Sequence, residues 1–195
     1  MINEKQVNKI RKEAEDGVCS SQFHLGWMYD NGESVPYDDR EAFKWYRLAA
    51  EQFTKAAEQG DAKAQHTLGV MYRKGSGVPQ DDKEATKWLE RAVKWYRNAA
   101  EEGNARAQFE LGIMYAEGQG VPQDDSEALI WYRKAAEHGD DEAQHRLGEI
   151  YANGYGVPQD KEEALKWLRL SGNQGNTQAQ YDLTKLYHKW GGSTS

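Results

Sequence analysis

The side chains able to do chemistry are few and dispersed. The chain has five histidines, His24, His66, His138, His145 and His188, and a single cysteine, Cys19. No histidine stands in His-Glu-x-x-His spacing or beside a cysteine pair, so no metal centre is expected. His66 and His145 each precede a leucine by two positions in equivalent stretches, which sets them apart rather than letting them converge on an ion. Cys19 sits in no nucleophile motif, and one cysteine allows no intrachain disulfide. The Gly-x-Gly triplets beginning at Gly75, Gly118 and Gly154 look like part of a dinucleotide fingerprint, but that motif follows a strand and requires a third glycine. Here the triplet follows helical sequence and occurs three times, which is the behaviour of a structural turn. The acid pairs Asp81-Asp82 and Asp124-Asp125 read as helix caps rather than acid/base pairs. No catalytic residue, cofactor or metal is therefore expected.

The elements that carry these residues repeat. Leu-Gly recurs at Leu25, Leu68, Leu111 and Leu147 and degenerates at Leu183-Thr184. Gly-x-Gly-Val-Pro follows from Gly75, Gly118 and Gly154, and loosens to Gly32-Glu33-Ser34-Val35-Pro36. Ala-Ala-Glu-x-Gly closes at Gly60, Gly103 and Gly139, and weakens at Ser171 to Gly175. The closing glycines Gly103, Gly139 and Gly175 are 36 residues apart, whereas Gly17, Gly60 and Gly103 are 43 apart. A fixed period of this size signals stacked helical units.

Within each unit the periodicity predicts helix A, a turn and helix B. Ala64, Leu68, Met71 and Tyr72 form one apolar stripe at helical spacing. Gly69 lets a neighbouring helix approach, Gly75 suits a left-handed C-cap, and Pro79 stops the helix. Asp38/Glu41, Asp81/Glu84, Asp124/Glu127 and Asp160/Glu163 have capping-box spacing at the start of helix B. The seven extra residues of the first two units fall in helix B without Gly or Pro, which predicts two long continuous helices. In the second, Trp88, Ala92, Trp95 and Ala99 are expected to share one buried face.

These motifs resemble the Sel1-like repeat, a relative of the tetratricopeptide repeat, over roughly Ser20 to Tyr187. The resemblance implies an all-α fold, an α/α right-handed superhelix or solenoid of antiparallel helix pairs. It divides the chain into a capping helix (1–17), repeats at 18–60, 61–103, 104–139 and 140–175, a C-terminal capping helix (176–190) and a flexible tail (191–195). It also implies a non-enzymatic scaffold or adaptor that binds proteins. Some proteins of this kind have been linked to penicillin binding, so a hydrolase of cell-wall or β-lactam type is an alternative, although the Ser-x-x-Lys motif is absent. An engineered, consensus-like scaffold without a native partner is the other, favoured by the near-identical Val-Pro-Gln-Asp segments and opposed by the irregular first and last units.

Composition narrows the partner. A mean hydropathy of −0.98 beside 11% aromatic residues suits a thin stack with much surface and a core of large side chains. A net charge of −7 and a pI near 5.3 argue against a nucleic-acid surface. No apolar run reaches signal-peptide or membrane-span length, so a cytoplasmic monomer is expected. With the helix A leucine as reference, the positions two before and two after it point away from the core. Beside Glu149 and Lys185 in the later units, they hold Phe23, Trp27, His66, Val70, Phe109, Ile113, His145 and Tyr181, and in the first three repeats they are too apolar for a merely solvated wall. With Arg73 at the edge, these residues are the expected partner-binding face on the concave side.

Overall fold

The structure, a computed structural model, describes residues 4–191; the first three residues of the expected N-terminal cap and residues 192–195 of the expected tail lie outside them. All regular structure among the described residues is helical, in ten α-helices that pack on their chain neighbours. The expected all-α class of paired helices is what the chain forms. Residues up to Ala92 make one compact unit and residues from Val93 onward a second.

The first unit holds α1 (Glu4–Glu15), α2 (Cys19–Asn31), α3 (Asp39–Glu58), α4 (Ala62–Lys74) and the start of α5 (Asp82–Glu101). Its core runs from Val7, Leu25, Met28 and Trp45 through Tyr46 and Met71 to Leu68 and Trp88. Helices α3 and α5 each have 20 residues, whereas the helices of the later repeats have 13 up to α9. The difference is about 10 Å of helix. Phe53 uses the added length of α3, meeting Phe23 in a T-shaped pair with ring centres 6.0 Å apart.

The second unit contains the end of α5, then α6 (Ala105–Glu117), α7 (Asp125–Glu137), α8 (Asp141–Asn153), α9 (Lys161–Asn173) and α10 (Thr177–Gly191). Phe109, Tyr132, Leu147, Ile150 and Trp167 form its core, with Ala128, Ala135, Ala136 and Ala143 between them. At the end of α5 the expected stripe is not the buried one: Trp95 is 49% exposed, and Val93, Tyr96 and Ala100 are buried instead. The physical reason is that this part of α5 turns its Tyr96 and Ala100 side to α6, whose Gln108 bonds to the Ala100 carbonyl. Trp95 is left on the flank.

Two local rules place the helices. Each of α2, α4, α6 and α8 ends on a glycine in the left-handed region, Gly75 at φ 73° among them, where a side chain would be strained. The Leu-Gly glycine then admits helix B: a Cβ on Gly112 would lie 2.6 Å from the Tyr132 ring, and one on Gly148 2.5 Å from Leu168. Such contacts leave room only for glycine.

The capping differs from expectation in one respect. Asp38, Asp81, Asp124 and Asp160 accept from the backbone N–H groups two and three residues on, as caps do. Their own N–H groups, however, go to the Tyr29, Tyr72, Tyr115 and Tyr151 carbonyls of the preceding helix A. The glutamates are thus released from the capping box. Glu41, Glu84 and Glu163 instead receive the indole N–H of Trp45, Trp88 and Trp167 and the ammonium of Lys44, Lys87 and Lys166.

Candidate functional site

The start of α7 departs from that pattern. Where the other three repeats carry Lys44, Lys87 and Lys166, it carries Ile130, 47% exposed. The indole nitrogen of Trp131 is buried and makes no hydrogen bond, unlike its three counterparts, while Lys134 lies 4.1 Å over its ring. A run of identical solutions is interrupted here, and such interruptions mark either strain or use.

Beside Ile130 lies a cleft of about 700 Å³, bounded by the end of α6, the first two turns of α7, α8 and the turn after α8. Leu129, Ile130, Ile150 and Tyr155 supply its apolar wall, and Glu117, Asp125 and Arg146 its charged rim. The opening traces to one turn. In the first unit the equivalent turn closes on the preceding repeat: a Cβ on Gly77 would come within 2.5 Å of the Arg47 backbone nitrogen. In the second unit nothing lies within 4 Å of a Cβ on Gly156, so this turn stands clear of α7. The middle residue of the turn also changes, from Ser76 to Tyr155, which is 67% exposed.

The electrostatics of the cleft lean negative. Burial above all pushes the Tyr132 hydroxyl up to about 12; Arg146 opposes this, while Glu117, Asp125 and Glu110 add to it. Tyr132 therefore lines the cleft as a neutral hydroxyl at neutral pH. Arg146 is engaged by Glu149 at 3.2 Å, and Glu117 accepts from Gln119 Nε2 at 2.5 Å.

The nine residues expected on the partner face are placed as follows. In the first unit Trp27 is exposed, His66, Val70 and Arg73 are half-buried, and Phe23 packs against Tyr46 at 5.3 Å between ring centres. In the second unit Tyr181 is exposed and Ile113 half-buried. Phe109 is only 6% exposed, its ring 5.7 Å from Tyr132 and covered by Arg106 at 5.1 Å. Its face is spent on the core and offers nothing to a guest. His145 bonds through Nε2 to Asp182 Oδ2 at 2.8 Å.

Sequence reasoning passed over the cleft. The signal existed in the exchange of lysine for Ile130 and of serine for Tyr155, but only the open turn gives those exchanges meaning. It also passed over the grouping of His145 and Glu149, four apart on α8, with Asp182 of α10; their ligand atoms lie within 4.8 Å of one another.

The Sel1 repeat family matches residues 19–52, 53–61, 62–94, 89–104, 105–140 and 141–176. The chain belongs to the Sel1 repeat family. Proteins built from Sel1 repeats are typically protein-interaction scaffolds. Among solved structures, the chain is similar to a Sel1 repeat protein from Oxalobacter formigenes, with 32% identity over 95% of this chain and 75% of that one, at a TM-score of 0.49. It is also similar to a protective antigen of uropathogenic Escherichia coli that displays the same repeat fold, with 29% identity, 95% of this chain covered and a TM-score of 0.49. The chain spans about half of that antigen, 52%. The chain is also similar to Helicobacter pylori cysteine rich protein B, with 22% identity over 72% of this chain and 96% of that one, at a TM-score of 0.44. No curated protein matches the chain. No helix among the described residues is long and apolar enough to cross a membrane.

Proposed function

We propose that this Sel1 repeat protein is a non-enzymatic adaptor that holds a peptide segment of a partner protein, and that the cleft beside Ile130 receives the segment's anchoring side chain. The observation that carries this reading is the open turn at Gly156 beside a helix whose surface lysine has become isoleucine. An apolar side chain set into this recess would leave water, which is worth about 1.5–3 kcal/mol for a residue of leucine size. Glu117 and Asp125 at the rim favour a lysine or arginine next to the anchor, since Arg146 is already engaged by Glu149. Trp27, His66, Val70 and Arg73 in the first unit, and Ile113 and Tyr181 in the second, offer further contact area on the A helices. The hydrolase alternative lacks a matching observation: the residues lining the cleft include no Ser–His or Cys–His pair.

A random peptide library panned against the folded chain tests the proposal. Sequences with an aliphatic or aromatic residue beside a basic one should be enriched. They should be lost on Ile130→Lys and Tyr155→Ser, which install the residues of sister repeats and leave the core alone. Enrichment that survives both substitutions, or no enrichment at all, would overturn the assignment.

A further inference from the structure

We infer that His145, Glu149 and Asp182 form a binding site for one divalent transition-metal ion of the zinc class. The inference does not rest on the peptide reading, although Glu149 also engages Arg146 at the rim of the cleft. At the His145 register the earlier repeats carry Phe23, His66 and Phe109, and at the Glu149 register Trp27, Val70 and Ile113. Only on α8 does this face present an imidazole and a carboxylate together. One helical turn separates them, so both project from one side of α8. Helix α10, packed against α8 and α9, then brings Asp182 to the same point.

The geometry is close to that of a ligand set. His145 Nε2 and Asp182 Oδ2 are 2.8 Å apart, and all three ligand atoms lie within 4.8 Å of one another. A zinc ion with bonds of about 2.0–2.2 Å needs tetrahedral ligand atoms roughly 3.3 Å apart, so small side-chain rotations suffice. The site is half-buried, with His145 and Asp182 side chains 16% and 22% exposed. Its carboxylates are steered from outside: Arg146 holds one Glu149 oxygen at 3.2 Å, and Gln178 donates to Asp182 Oδ2 at 3.2 Å. The imidazole selects zinc-like ions over magnesium and calcium, which take oxygen ligands. Three protein ligands leave a fourth position for water or a donor from a bound protein.

Competition against a chromophoric zinc chelator tests this on the full chain with any affinity tag removed. One equivalent of zinc should bind the wild type and raise its melting temperature, with excess magnesium failing to compete. His145→Ala and the near-isosteric Asp182→Asn should each weaken binding about tenfold or more. Circular dichroism confirms folding, and Asp182→Asn decides the question if His145→Ala does not fold. Unchanged affinity in a folded variant, or no zinc equivalent on the wild type, would reduce the trio to a hydrogen-bonded latch between α8 and α10 and overturn the inference.

Discussion

At Cys19 the thiol donates to the Ala49 carbonyl, 3.5 Å away on α3, and burial pushes its pKa up to about 11. An unfolded cysteine ionises near 8.5, so at pH 8 the folded chain holds roughly two hundredfold fewer thiolates. Reaction with an aromatic disulfide reagent at pH 8 should therefore be slow in the folded protein, become fast in urea, and rise about tenfold per pH unit towards pH 11. The linkage has a definite sign. The folded state holds its thiol proton more tightly, so this stabilisation is complete below about pH 8 and is lost as pH climbs through 11. A folded thiol as reactive as the unfolded one would show that Cys19 is not packed against α3. A second local arrangement is unsettled by comparison: Trp131 keeps a buried indole N–H without an acceptor where three sister residues have one.

Helices are joined to one another by a buried glutamine as well as by apolar contact. Gln22, Gln65, Gln108 and Gln144 each donate to the carbonyl eight residues earlier, near the end of the preceding helix, at 3.1, 3.0, 2.9 and 3.0 Å. Each adds a second bond to an end-of-helix carbonyl that also accepts from the glycine N–H three residues on, so the glutamine fills the remaining lone pair of a helix end. Gln144→Met keeps the volume and removes the donor, leaving the Ala136 carbonyl to the Gly139 N–H. It should cost about 0.5–1.5 kcal/mol in urea denaturation, whereas exposed Gln123→Met should stay below about 0.5 kcal/mol. Equal effects at both sites would mean that the buried glutamine merely fills space. The aspartate caps and the Gly112 and Gly148 crossings complete the set of devices that define each helix pair.

At the scale of the whole molecule, packing among the described residues is mainly between neighbours: α2 packs closely with α3, α6 with α7, and α8 with α9. In such an array a local loss is felt locally, because stability is close to a sum over repeats and their junctions. Leu147→Ala, at a position with no exposed surface, should cost about 2–5 kcal/mol. Hydrogen exchange should show lost protection in α7, α8 and α9 while α2 and α3 keep theirs. A uniform loss along the chain would show instead that the two compact units open as one.

The sequence by itself determined the helical class, the capping aspartates, the left-handed glycines and the glycines at which helix pairs cross. These features are legible because each depends on residues within a few positions of one another, and the chain states the same solution several times. The function of the capping-box glutamates was not legible, since their indole partners are chosen by packing. Phe109, expected on the partner face, became core because Tyr132 and Arg106 close over it. Trp95, expected in the core, was left outside because α6 takes the Tyr96 side of α5. Only the tertiary structure decided that the turn at Gly77 closes on the previous repeat while that at Gly156 stands open, and that His145 meets Asp182 from another repeat. Each of these is settled by the volumes and charges that two separate repeats bring to one junction, and no single stretch of sequence contains both.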